Sequence, residues 1–267
     1  MILQFMKRIQ KNELWNVAAQ LSYYLLLSFF PLMIGVVSLL DYFPVGIDML
    51  MDVLESVVPD PVYELVVENA ELFSGLRGRM FSVGFIVTLV IATRSSVAIY
   101  KSLNHSYTAP KRHFLVAYLI SFGITLSLIL FVVFSLTFIL FSNRFILQFL
   151  TNSTGMFWFF RLRILGMFVV FVLGLSAMYA FVPRIKLKLK EVLPGAIIAT
   201  VLWIISTVGF EIYVKNFGNY ALIYGTLGSF VVLLLWLYLV SFALLLGNEI
   251  NAFLYERKEN LQKPLYF

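Results

Sequence analysis

The sequence predicts an all-α, polytopic membrane helical bundle of six transmembrane helices with cytoplasmic N- and C-termini, and three observations carry that prediction. Hydrophobic residue types make up 61% of the 267 residues and charged types only 13%, about half the charged share usual in soluble domains. The charges bound long uncharged runs, and an uncharged run of roughly 20 residues crosses the hydrocarbon as a helix. Lys and Arg are distributed unequally between alternate connecting segments, which sets orientation. A soluble fold of this size cannot hide so much apolar surface, whereas lipid takes the place of a polar coat. The length suits one membrane domain over 1–267, with no room for a second soluble domain.

Residues 1–17 read as an interfacial helix. Ile2, Phe5, Met6 and Ile9 lie on one side and Lys7, Arg8 and Lys11 nearer the other. Such a helix lies on an anionic inner leaflet; the alternative is a solvated helical tail. The 27 uncharged residues between Glu13 and Asp41 hold the first span, 18–40. That apolar run is too long for a signal sequence and no cleavage-like site follows it, so it is read as retained.

The segment 41–79 is the largest polar insertion. Asp48, Asp52 and Glu55 fall at i, i+4, i+7, and Glu64, Glu68 and Glu71 repeat the spacing after Pro59-Asp60-Pro61. Two short amphipathic helices capping the outer face are expected, each with an acidic stripe. The stripes are either a solvated face or an acidic vestibule.

The second span needs a charge inside it. Only 14 residues separate Arg79 from Arg94, but 80–100 is 21 residues long and does cross, which puts Arg94 within the membrane. The third span, 114–141, lies in the 30 uncharged residues between His113 and Arg144, and the fourth, 163–182, in the 20 between Arg163 and Arg184. Residues 184–190 alternate basic and apolar, as an extended segment on the inner surface would, contacting lipid headgroups. The fifth span is 193–213, opening on Pro194-Gly195-Ala196 as a first turn. The 33 uncharged residues from Lys215 to Glu249 exceed one straight crossing; Gly218, Gly225 and Gly228 suggest loop or re-entrant backbone before a sixth span, 228–250.

With the N-terminus inside, the cytoplasmic segments carry 13 Lys and Arg and the outer ones 6, with Arg94 left over. A multi-pass protein of the bacterial cytoplasmic (inner) membrane is expected.

Ionisable residues inside a membrane usually have a partner or face water. Arg94 and Glu249, both expected toward the inner side, are read as a pair, direct or through substrate, with Ser95, Ser96, Asn248 and Asn251 around them. The alternative is that each snorkels separately. Glu211 is expected to pair structurally with Arg161 or Arg163. Pro31, Pro194, Gly195, Gly225 and Gly228 are candidates for hinges or close helix packing. With no cysteine, two histidines (His105 and His113) and no metal-ligand spacing, neither a metal nor another cofactor is expected.

Several stretches together resemble the YihY/virulence factor BrkB family of bacterial inner-membrane proteins. They are Ala18-Ala19 with Leu21 to Tyr24, Ser28 to Leu32, Asn104 and Tyr107, Leu193 to Ala196 with Trp203, Phe210 and Tyr213, Tyr220, Tyr224 to Gly228, Trp236 to Tyr238, and Gly247 to Asn251. The similarity covers nearly the whole chain; Asn248 replaces the alanine usual before the glutamate. The resemblance implies a six-helix fold without a settled activity. Some members have carried the label ribonuclease BN, and others are linked to serum resistance or export of lipid-like envelope precursors.

Three functions follow for weighing. A transporter or translocase of a lipid-like or amphiphilic envelope molecule fits the intramembrane charges and broken helices. A non-transporting scaffold or envelope-assembly factor fits the same small residues. Ribonuclease chemistry is disfavoured, because acidic residues concentrate on the side away from RNA. The expected partners are membrane lipids and an amphiphilic substrate, with a homo-oligomer allowed, no nucleic acid, and no enzymatic activity.

Overall fold

Where lipid surrounds the backbone, each apolar segment must satisfy its own N–H and C=O groups, and helices result. The computed structural model describes residues 2–40, 81–107, 113–127, 153–217 and 226–262, with residue 130 and scattered positions within 51–67. Among the described residues all regular structure is helical. The helices are α1 (Ile2–Lys11), α2 (Leu14–Leu40), α3 (Phe81–His105), α4 (Phe114–Ser127), α5 (Ser153–Phe181), α6 (Leu189–Phe217) and α7 (Thr226–Gln262). Three of them are long and apolar enough to cross a membrane, over Ile164–Phe181, Leu189–Val214 and Phe230–Glu259.

α7 is the central element. It packs along α6 on one side and α2 on the other, α3 packs on α2, and α5 packs on α6. At one end the row closes on itself: the Asn104 side chain at the end of α3 accepts from Arg184 N at 3.0 Å, just past α5. Buried residues from all seven described helices form one core, including Ile9, Leu21, Leu103, Ile124, Tyr179, Val192 and Leu245. A smaller cluster of Phe210, Leu233, Trp236 and Leu237 forms the core between α6 and α7 further along, and Val58 of the 41–79 insertion packs against it.

Several expected boundaries move. The interfacial helix 1–17 is not one helix. α1 ends at Lys11 and α2 begins at Leu14, four residues before the expected start at Ala18. Between them Glu13 adopts φ 48°, the left-handed region usually left to glycine or asparagine at a helix end. The extended segment 184–190 is also shorter, because α6 begins at Leu189. Half a capping box explains the early start: Lys188 N donates to Glu191 Oε2 at 3.0 Å, and Glu191 N donates to the Lys188 carbonyl at 2.8 Å. Pro194 therefore lies inside α6 rather than in its first turn.

α7 runs on to Gln262, twelve residues past the expected end of the sixth span. Thirty-seven residues of helix exceed a bilayer crossing, so the whole of α7 is longer than the hydrocarbon is thick. Of the third span, α4 covers 114–127, and most of 128–141 lies outside the described residues. So do Asp48, Asp52, Glu68, Glu71, Pro59-Asp60-Pro61 and the 218–225 segment with Gly218 and Gly225.

α6 and α7 cross at two glycines. A Cβ at Gly195 would stand 2.1 Å from the Gly247 carbonyl, and one at Gly247 would stand 2.5 Å from the Gly195 carbonyl. Only glycine allows this approach. Asn251 repairs the break that Pro194 makes in α6: its Oδ1 accepts from Gly195 N at 2.8 Å, and its Nδ2 donates to the Val192 carbonyl at 2.9 Å.

Candidate functional site: a basic groove and the hub beneath it

α1 presents Phe5, Arg8, Ile9 and Asn12 inward, at i, i+3, i+4 and i+7. Phe5 meets Phe253 of α7 edge-on, with ring centroids 5.5 Å apart. The apolar side expected to face lipid thus docks, through Phe5 and Ile9, onto protein, while Leu3, Met6, Lys7 and Lys11 stay exposed. Between Phe5 and Ile9 in the sequence and close to both in space, Arg8 donates from Nε to Glu249, from Nη1 to Glu256 and from Nη2 to the Ser106 carbonyl. Asn12 Nδ2 donates to the same Glu249 Oε1 at 2.7 Å. Glu249 is fully buried, so this arginine neutralises a charge that would otherwise be left in a low-dielectric interior. Burial opposes the Arg8 cation, but the hydrogen bonds it donates to Glu256 and Glu249 outweigh this and hold the guanidinium above its usual range.

The hub joins four segments at one end of the bundle. Tyr107, just past α3, is buried beside it, packs edge-on to Tyr255 at 6.2 Å, and has no hydrogen-bond partner for its hydroxyl among the described residues. Burial, reinforced by Glu249, pushes the Tyr107 phenol up. Lys258 donates to Glu191 at 2.6 Å. The N-terminal helix, the end of α3, the start of α6 and the end of α7 therefore meet at the same end.

Next to the hub lies a groove of about 1410 Å³ between α2, α3 and α4. Its polar wall carries Arg94, Lys101 and His105 of α3 with Gln20 and Tyr24 of α2. The three cationic or titratable residues fall at i, i+7 and i+11, one helical face. The opposite wall is apolar, with Phe114, Leu115, Tyr118, Leu119 and Phe122 of α4. Asn12, Leu14 and Ser106 line the groove at the hub end. The groove thus sets a basic stripe against an apolar wall and is larger than most small-molecule pockets.

The sequence-nominated residues divide accordingly. Arg94 and Glu249 do not form the direct pair expected: Glu249 is bound by Arg8 and Asn12, while Arg94 is exposed along the groove. Their depths also differ. Arg8 ties Glu249 to the level of Ser106, twelve residues beyond Arg94, or about 18 Å along a helix. Ser95 faces Ser28 of α2 at 3.4 Å and Ser96 faces Thr125 of α4 at 2.8 Å, so both tie helices together. Asn248 donates to the Leu103 carbonyl at 3.4 Å, and Asn251 holds α6. Glu211 is half-buried on α6, and the side chains of Arg161 and Arg163 lie outside the described residues. Pro31 lies within the helical backbone of α2 and its side chain is not described; Gly228 is buried at the start of α7.

Arg8, Asn12, Lys101, His105 and Tyr107 were not singled out as site residues from the sequence. The i, i+7, i+11 register of the α3 stripe was a readable signal. The Arg8 contact was not, since its partners lie 98, 241 and 248 residues away.

The family model for virulence factor BrkB matches residues 5–265. The chain belongs to the virulence factor BrkB family. The ribonuclease-like protein YfkH of Bacillus subtilis is 32% identical over 262 residues, covering 96% of this chain and 95% of YfkH. A UPF0761 membrane protein of Photobacterium profundum is 32% identical, covering 95% of this chain and 80% of its own length, and one of Vibrio parahaemolyticus is 31% identical, covering 95% and 81%. No solved structure matches the chain. With its long apolar helices, this BrkB-family chain is a membrane protein.

Proposed function

We propose that this BrkB-family protein is a transporter or translocase of a lipid-like, anionic amphiphile in the bacterial inner membrane. The groove carries the reading. Arg94, Lys101 and His105 would receive an anionic headgroup while the α4 wall takes the apolar part. Headgroup transit through hydrocarbon is costly unless charged and polar protein groups replace water along the way. The larger share of Lys and Arg in the segments on the side of the termini supports cytoplasmic N- and C-termini. The docking of α1 and the end of α7 at one end of the bundle agrees with a shared side.

The test is headgroup flipping in proteoliposomes with a fluorescent anionic phospholipid and a membrane-impermeant quencher. The wild type should accelerate exchange over empty vesicles, and Arg94→Glu should slow it at least about tenfold, as reversing the charge that would meet an anionic headgroup predicts. Exchange no faster than in empty vesicles would overturn the proposal.

A scaffold role is the second reading. It draws on Ser95, Ser96 and Asn251, polar residues that join helices rather than line a path. Cross-linking would then recover one defined partner, with no exchange of lipid. Under either reading the chain is non-enzymatic and binds no nucleic acid, and the purified protein should leave tRNA intact.

A further inference from the structure

Three features converge on the short joint between α1 and α2. The first is strain. Glu13, a non-glycine residue, is held at φ 48°, and such conformations persist only where the surroundings over-determine them. The joint is closed by Asn12 N on the Arg8 carbonyl at 2.9 Å and Glu13 N on the Gln10 carbonyl at 3.1 Å. The second is the hub that supplies the constraint. Arg8 and Asn12 both end on the fully buried Glu249, and Arg8 also reaches Glu256 and the Ser106 carbonyl. The third is position. Asn12 and Ser106, both bound into this hub, line the groove, and so does Leu14 at the start of α2. Glu249 itself does not line it.

We infer that α1 is a latch: docked through Arg8 on Glu249, it holds Asn12 against the hub end of the groove, and swinging about Glu13 withdraws Asn12 and opens that end to water. The inference rests on the groove being the binding site proposed above. Glu249 is then a positioning residue, acting on the groove through Asn12 and Arg8. The swing is confined to α1, because α2 is anchored at its first turn: Leu14 is buried in the core and Trp15 stacks on Phe242 of α7 at 4.3 Å. Undocking releases the strain at Glu13 and exposes Phe5 and Ile9, whose apolar surface the inner leaflet can receive beside Leu3, Met6 and Lys7. The bent, docked form is favoured by burial of Phe5 and Ile9 and by neutralisation of Glu249, and disfavoured by the Glu13 backbone. Opposing terms of this kind make an element bistable.

The chain contains no cysteine, so a single thiol at Ser102→Cys, on the groove wall near the hub, reports its opening to water. Its modification rate by a charged thiol reagent is measured in otherwise wild-type protein and in three variants. Arg8→Lys, which keeps the charge but loses the three-way fork, and Glu249→Gln should each raise the rate about fivefold or more. Glu13→Gly, which removes the strain of the docked form and leaves the hub intact, should lower it about fivefold. Equal rates across the set would overturn the latch, as would Glu13→Gly reacting faster than the parent. Should Glu249→Gln fail to fold, Arg8→Lys and Glu13→Gly still decide the matter, because they shift the rate in opposite directions. The readout needs no transported molecule. A protein whose thiol responds as described but which flips no lipid keeps the latch and loses the translocase reading.

Discussion

Gly195 and Gly247 set the distance between α6 and α7, and each carbonyl lies where the other residue's side chain would begin. Gly195→Ala should destabilise the protein by about 3 kcal/mol, since backbone rather than a flexible side chain must move; thermal unfolding in detergent checks it. Asn251 is the polar counterpart of that contact. Asn251→Ala leaves Gly195 N and the Val192 carbonyl without the side-chain partners that bridge the Pro194 break, and should cost about 2 kcal/mol. Tyr107 behaves differently. Its buried hydroxyl has no hydrogen-bond partner among the described residues, and its phenol is pushed up by burial first and by Glu249 second. In the unfolded chain the phenol gives up its proton from about pH 10, whereas the folded chain retains it. The unfolded state then binds fewer protons, so stability falls as pH rises past that value. Tyr107→Phe should leave the melting temperature at pH 7 nearly unchanged and flatten its decline above pH 10. Gly195 and Asn251 were nominated from the sequence separately; nothing in their spacing showed that one binds the other.

At the scale of the element, α1 shows how amphipathicity misleads. An apolar stripe beside basic residues reads equally as a helix on lipid or a helix on protein. Arg8 decides between them, because it lies on the docked face. Substituting Arg8 by Ala leaves the buried Glu249 with the single Asn12 hydrogen bond among the described residues, and should cost about 3 kcal/mol, visible as loss of the native melting transition. The start of α6 makes a smaller case. Glu191 caps the Lys188 amide and receives Lys258 from α7, so Glu191→Ala should cost about 1 kcal/mol. The capping residue follows a basic run whose alternation points to extended chain, and the four residues' difference in the start of α6 follows from that one carboxylate. α3 is the opposite case: its basic stripe was present in the numbering, and the helix expected over 80–100 with Arg94 toward its end runs on to His105, which leaves Arg94 near its middle.

Across the whole molecule, the described connections at one end account for the charge pattern. Lys7, Arg8 and Lys11, then Lys101, then Arg184 to Lys190, then Arg257 and Lys258 belong to segments that meet around the hub. If that end faces the cytoplasm, Leu3→Cys and Lys258→Cys should react with an impermeant thiol reagent only in inside-out vesicles. Reaction of either from the outside would reverse the proposed orientation. The groove lies on the α2–α3–α4 side of this molecule, while the closest helix contacts lie on the α6–α7 side.

The sequence by itself determined the class of the protein, the stretches that become long helices and the grouping of positive segments, because these depend on composition and local run length, which lipid reads directly. It also pointed to one continuous helix through Arg94. Which charges meet was decided only by the tertiary structure. Pairing depends on where helices end, and those ends were set by a capping carboxylate at Glu191, a left-handed residue at Glu13 and a last helix running past Glu249. Each displaced a side chain by a few residues along a helix, and in a helix a few residues are enough to exchange one partner for another.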